Sequence, residues 1–405
     1  MKLRLCIGLV AALGSPGLIG CGDSGNAGGS TGSTGETGDA ETGEPATGIA
    51  LDGFHEGMLR EVDREAYIQV QFRLRESARW AAAGHLVATG EIRVSKPLSV
   101  AAIRSLEPPM PKPTIEKITD GLLTITSASG GSIWGIDIVT GMLASFRRAE
   151  QPGVELLTQP VGLGFYRALT DNDRGGHGRQ WKERRLHQTT SQVRRIQWHV
   201  ADDGVRVEVV ERIAPPAVAW GVDNAWTYSF RGDSLSIRIQ GKPGGLGLPD
   251  TFARIGLTVG LDGVEKVRWW GRGPGESYRD KKHAQLFGNW QADVDDLWLD
   301  YEFPQDAGNR TDVRWVEFTG AEKRRILRAN FGALAGASFS ATRYSTADVD
   351  ECTHPYELHE RRRDDVLVRL DWAHHGLGTG SCGPWTLPQY QLRADKEFDM
   401  EILLD

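Results

Sequence analysis

Glu276 and Asp280 stand four residues apart and are of the type that general acid–base chemistry uses. Arg272, Arg279 and Lys281 surround them, so ion pairing is the expected use of both carboxylates. His354 with Glu357 forms a second polar constellation, and Asp171-Asn172-Asp173 a third. Asx side chains of that kind either meet a polar ligand or bond the backbone of their own turn. Trp385, close behind Ser381-Cys382, offers an indole that can stack on the apolar face of a sugar. His354, His359 and the pair His374-His375 have the type of metal ligands but no supporting ligand set, so no metal site is expected. No P-loop, no GxGxxG opening a helix, no HExxH and no zinc-spaced cysteines occur, and no cofactor is expected in this chain.

The elements that must position these groups are strands. Tyr67–Leu74, Arg206–Val210 and Ser234–Ile239 alternate apolar with polar residues, the period of a half-buried antiparallel strand. Asp120-Gly121, Asp203-Gly204, Arg231-Gly232-Asp233 and Asp262-Gly263 punctuate such runs as turns, in keeping with a total of 50 glycines. Long helical periodicity is nearly absent, which predicts an all-β chain built of sandwiches. An eight-stranded βα barrel needs about 250 residues of alternating strands and helices, and no stretch supplies them. Prolines at 97, 108, 109, 111 and 113 break the pattern, so residues 98–112 read as an interdomain linker.

With 405 residues and a formal charge of -7, the chain has room for two or three domains and offers no basic field for nucleic acid. Lys2 and Arg4 precede an apolar stretch, Leu5 to Gly20, too short to span a membrane. It ends in Leu18-Ile19-Gly20-Cys21, which resembles a bacterial lipobox; the resemblance implies lipidation at Cys21 and residues 1–21 as a lipoprotein signal. Residues 22–48, nearly all Gly, Ser, Thr, Asp, Glu and Ala, read as a solvated tether. The protein is thus expected to be exported and held on the periplasmic or outer side of a bacterial envelope by lipid alone. Export permits Cys352 and Cys382 to pair; the alternative is two small buried apolar residues.

Three ordered segments carry a family resemblance. Phe165-Tyr166-Arg167-Ala168-Leu169-Thr170-Asp171-Asn172-Asp173-Arg174-Gly175 is close to FWRAPTDNDRG, with Tyr166 for Trp and Leu169 for Pro. Trp270 to Lys282, continued by Tyr301 and Pro304 to Trp315, is similar to YGRGPHENYPDRK and PQENGNRTDVRW. His354 to Leu358, Asp371, Gly376 to Pro384 and Tyr390 complete the set. Together they resemble the small-chain domain of glycoside hydrolase family two β-galactosidases. Upstream, Phe72-Arg73-Leu74 and Trp80 to Ala88 look like the second half of the immunoglobulin-like domain that precedes it in that family.

The resemblance implies a galactose-mutarotase-like antiparallel β supersandwich over 113–405, preceded at 49–97 by a partial immunoglobulin-like β-sandwich whose missing strands leave an unpaired edge and an uncovered face. It also places both catalytic carboxylates, about 5 Å apart in a retaining enzyme, on a barrel that this sequence does not contain. Catalytic residues are therefore expected in a barrel-bearing large subunit, as is any divalent cation. The substrate-binding candidates here are Asp171, Asn172, Asp173, His354, Glu357, Ser381, Cys382 and Trp385. In the family's loop SWGP or SCGP approaches the sugar; Cys382 stands at the Trp position, leaving Trp385 as the nearby platform. Three uses remain open: a small chain completing a partner's galactoside pocket, a stand-alone surface carbohydrate-binding module, and a remnant of a full-length enzyme.

Overall fold

A chain that alternates apolar with polar residues buries one face of each strand, and the computed structural model is assembled from such strands. It describes residues 3–11, 65–105, 111–151, 153–378 and 385–405. Cys21, the tether at 22–48, Ser381 and Cys382 lie outside the described residues. Two units, Met1–Lys96 and Pro97–Asp405, partition the chain.

In the first unit, β1 (Leu3–Ala11), β2 (Ala66–Leu74) and β3 (Leu86–Arg93) form an antiparallel sheet in that order. Leu3–Ala11, inside the stretch read as an export signal, pairs with β2 residue for residue from Leu3 opposite Leu74 to Ala11 opposite Ala66. Along β3 nearly every residue is exposed, and Trp80, Leu86, Val87 and Ile92 present apolar surface to solvent.

The second unit opens with helix α1 (Val100–Ser105), then a four-stranded meander, β4 (Thr114–Thr119), β5 (Leu122–Thr126), β6 (Ser132–Asp137) and β7 (Leu143–Arg148). Asp120 and Gly121 join β4 to β5 with φ of 53° and 79°, the two positive values that a tight hairpin turn requires. There follow β8 (Leu157–Gly164), α2 (Asp171–Gly175), α3 (Gly178–Glu183), β9 (Thr190–Ala201), β10 (Gly204–Ala214), β11 (Ala219–Arg231), β12 (Ser234–Leu246), β13 (Arg254–Leu261), β14 (Lys266–Gly273) and β15 (Leu286–Asp293). The chain ends through β16 (Arg310–Thr311), β17 (Trp315–Thr319), β18 (Arg325–Asn330), β19 (Ser338–Thr342), α4 (Thr346–Glu351), α5 (Pro355–His359), β20 (Val366–His374) and β21 (Phe398–Leu404). A nine-stranded sheet runs β15-β14-β17-β18-β21-β12-β11-β10-β9, and a five-stranded sheet runs β16-β19-β20-β13-β8. Among the described residues all strand pairings are antiparallel, so the all-β expectation holds, and the α-helices are short pieces of five or six residues.

Register makes the core continuous across strands. Val207 opposes Tyr228, Tyr228 opposes Ile237, and Ile237 opposes Ile402, a buried row that crosses β10, β11, β12 and β21. Trp134, Trp220, Phe252, Trp269 and Phe339 are buried in the same cluster.

The proline-rich stretch read as a linker is structured in part. Ser99 accepts the Ala102 amide through Oγ at 3.1 Å and so caps α1, and Arg104 reaches Glu401 on β21 at 3.1 Å. Pro97 stands ahead of this cap and the other prolines follow the helix, so none interrupts it.

Replacing Ile237 by Ala removes a fully buried branch from the cross-strand row and is expected to cost about 3 kcal/mol. Urea unfolding followed by tryptophan fluorescence measures this; a loss under about 1 kcal/mol contradicts the packing described.

Candidate functional site

Thr170 and Asp173 form the local device that starts α2. Thr170 Oγ1 accepts from the Asp173 amide at 3.2 Å, and Asp173 Oδ2 accepts from the Thr170 amide at 3.0 Å. Asp173 is buried, and its two oxygens also receive Arg167 through Nε at 3.0 Å and Nη2 at 2.8 Å. Its carboxylate is therefore committed to the interior. Asp171 and Asn172, the next residues out, line a cleft of about 280 Å³ instead.

Beneath the cleft lies a charged interior. Arg167 donates to His374 Nδ1 at 2.9 Å and to the carbonyls of His375 and Gly376 at 2.8 and 3.1 Å. Asp306 pairs with Arg369 at 2.6 Å and accepts from the Tyr278 hydroxyl at 3.0 Å, while Asp371 pairs with Arg254 at 2.7 Å. Three guanidinium groups thus face three carboxylates, each residue under a tenth exposed. Burial pushes the Asp306 carboxyl up, but the Arg369 and Arg167 charges, with the Tyr278 hydroxyl it accepts, outweigh it and hold the group below its usual range. Burial, reinforced by the Arg167 charge, pushes His374 down to about 3 and His375 down to about 2, so both imidazoles are neutral.

Those two histidines set an acid limit on stability. Their folded pKa lies below the unfolded value near 6.5, so as pH falls through that value the unfolded chain takes up protons that the folded chain refuses. Stability is expected to decline from about pH 6.5 toward pH 3 with a slope near 1.4 kcal/mol per pH unit for each imidazole. Urea midpoints between pH 8 and 5 check this: His374→Gln should lessen the slope, and an unchanged slope contradicts the assignment.

The cleft is walled by Thr170, Asp171 and Asn172, by Glu276, Tyr278 and Lys281 from the β14–β15 connection, by Tyr301, Gln305 and Asp306, and by Leu377 after β20. Glu276 accepts from the Tyr301 hydroxyl and from the Gly308 amide at 2.9 Å. Gln305 Oε1 accepts the Asp171 amide at 3.1 Å, which ties α2 to the Tyr301–Asp306 wall. The ion pairing expected of Glu276 and Asp280 is not what the fold makes. Arg272 goes to Asp312 at 2.8 Å, and Asp280 takes the Leu377 and Gly378 amides at 3.0 and 2.9 Å. The tight turn at Tyr278–Lys281 carries Asp280 to the segment after β20, where it meets these backbone donors.

His354 and Glu357 serve α5. Glu357 Oε2 accepts the amides of Thr353 and His354 at 2.7 and 3.1 Å, a capping box on an exposed helix, and neither side chain lines the cleft. Trp385 is 62% exposed and meets His177 edge to face at 4.9 Å. Cys352 is buried with Ala168, Tyr344, Val349 and Leu358; its pairing with Cys382 falls outside the described residues. Tyr301, Gln305 and Asp306 stand inside a segment already singled out by its residues. Nothing in their spacing announces a shared wall with Asp171, because 130 or more residues separate them.

The chain spans about a third of the length of the curated relatives it matches. It is 30% identical over 344 residues to the β-galactosidase of Kluyveromyces lactis, covering 82% of this chain and 31% of that protein. It is 27% identical over 374 residues to the β-galactosidase of Streptococcus thermophilus, covering 91% and 34%. Among solved structures, a galactose mutarotase-like protein from Lactobacillus casei superposes with a TM-score of 0.37 at 9% identity, over 70% of this chain and 99% of that one. Another from Clostridium acetobutylicum gives 0.34 at 10%, over 73% and 98%. Residues 128–404 match the family described as beta galactosidase small chain, and by that match, which takes in every residue of the cleft, the chain belongs to the β-galactosidase small-chain family.

Proposed function

We propose that this chain supplies one wall of a galactoside pocket and that the hydrolytic carboxylates come from a barrel-bearing partner. The cleft around Asp171 and Asn172 carries this reading. It brings together three carboxylates, two amide side chains, an ammonium group and the Tyr301 ring, a mixture of donors, acceptors and apolar face that suits the hydroxyls and C–H face of a sugar. In such an assembly the acid and the nucleophile act from the partner, and these side chains orient the glycone and exclude water. A divalent cation, where one is used, belongs to the partner. A second reading, carbohydrate binding without turnover, is favoured by the exposed indole of Trp385.

Chromogenic β-galactoside hydrolysis by the full chain, alone and mixed with a barrel-bearing chain from the same genome, tests the assignment. Turnover in the mixture only is the expected result. Turnover by the chain alone, or silence in both, overturns it, and sugar-dependent quenching of tryptophan fluorescence in the silent case selects the second reading.

Export and anchoring through Cys21 are part of the same proposal, with the 22–48 segment as the tether. Membrane fractions of a bacterial host should hold the wild-type chain and lose it on Cys21→Ser; equal membrane retention of both forms would count against lipidation.

A further inference from the structure

Four consecutive residues after β20 are held by two opposite charges. From the interior, Arg167 takes the carbonyls of His375 and Gly376 at 2.8 and 3.1 Å. From the other side, Asp280 takes the next two amides, Leu377 at 3.0 Å and Gly378 at 2.9 Å. A carbonyl answers a cation and an amide answers an anion, so the two clamps divide the backbone between them without competition. Asp280 sits at the corner of a tight turn closed by reciprocal bonds between Tyr278 and Lys281, at 3.0 and 2.9 Å. Tyr278, Lys281 and Leu377 all line the cleft. One carboxylate therefore sets the spacing of two walls that approach from elements about a hundred residues apart in sequence.

The contact leaves no slack. A Cβ added at Gly376 would stand 2.8 Å from both the carboxyl carbon and Oδ2 of Asp280, and 2.8 Å from Thr386 Cγ2. Glycine at 376 is what lets the carboxylate lie against the strand end, while the Arg167 bond to the Gly376 carbonyl prevents the backbone from backing away.

We propose that Asp280 is a positioning residue for the sugar cleft: by capping the Leu377 and Gly378 amides it fixes the Leu377 wall against the Tyr278–Lys281 wall, and it governs substrate affinity without touching the reacting atoms. Its substrate rests on the galactoside-pocket reading above; its positioning role rests on the geometry alone.

Asp280→Asn decides the matter, because it keeps size and shape while turning an NH2 group toward one of two backbone N–H donors. Amide exchange on the full chain alone should show Leu377 and Gly378 exchanging at least about tenfold faster in Asp280→Asn, with Val368 in the adjoining strand unaltered. In the mixture with the barrel-bearing chain, KM should rise about tenfold while kcat changes less than about threefold. Gly376→Ala, which displaces the same carboxylate from the opposite side, should give the same split. Unchanged exchange at both amides overturns the proposal, as does faster exchange with an unchanged KM in an active mixture. A wild-type mixture without turnover defeats the pocket reading, and the exchange result then still decides whether Asp280 holds the two walls.

Discussion

The buried guanidinium of Arg167 is the constraint around which the described site is arranged. A charge withdrawn from water is tolerated only where its partner and hydrogen bonds are geometrically complete. Arg167 meets this demand with the Asp173 carboxylate on one side and the His374 ring and two carbonyls on the other. Every one of those partners is thereby assigned a place. Asp173 can accept the guanidinium only if α2 begins at Thr170, and that start turns Asp171 and Asn172 outward to the cleft.

The surrounding charges follow the same logic at larger scale. Arg254 with Asp371 and Arg369 with Asp306 repeat the pairing on neighbouring strands, and the sheet registers bring them together: Asp371 lies opposite Gly256 and Ser338, Arg369 opposite Thr258 and Ser340. Gly256 leaves room for this, since a Cβ there would come within 2.2 Å of an Asp371 oxygen. The interior is ionic, with each of these carboxylates paired to a guanidinium; burial and the Arg167 charge keep His374 and His375 neutral, and Asp306 at the cleft is matched by Arg369 and Tyr278. Apolar packing elsewhere, along rows such as Val207–Tyr228–Ile237–Ile402, supplies the rigid support against which such pairs keep their distances.

Local chemistry alone explains some of the motif residues. Asp171-Asn172-Asp173 looks uniform in sequence, yet a helix start divides it into one inward cap and two outward groups. His354 and Glu357 carry the same residue types as many ligand-binding pairs, but three-residue spacing with a proline between them is also what a capped helix start needs, and that is their use. Asp280 shows the opposite case. Its basic neighbours in sequence suggested an ion pair, whereas its partners are two amides on a distant strand end.

By itself the sequence determined the all-β class, the turns at Asp120-Gly121 and Arg231-Gly232-Asp233, and the three segments that place the chain in its family, because alternation, turn chemistry and short motifs are written within a few consecutive residues. Asp171 and Asn172 were legible as candidates for the same reason, and both line the cleft. Only the tertiary structure decided that Glu276, Tyr278, Lys281, Tyr301, Gln305, Asp306 and Leu377 share a cleft with them, that Arg167 and Asp280 hold opposite sides of one strand end, and that a short helix capped by Ser99 stands within residues 98–112. These outcomes depend on strand register and on which buried charge finds which partner. Both are long-range matters, set by the closing of the sheets on one another and not by the neighbours of any residue in the chain.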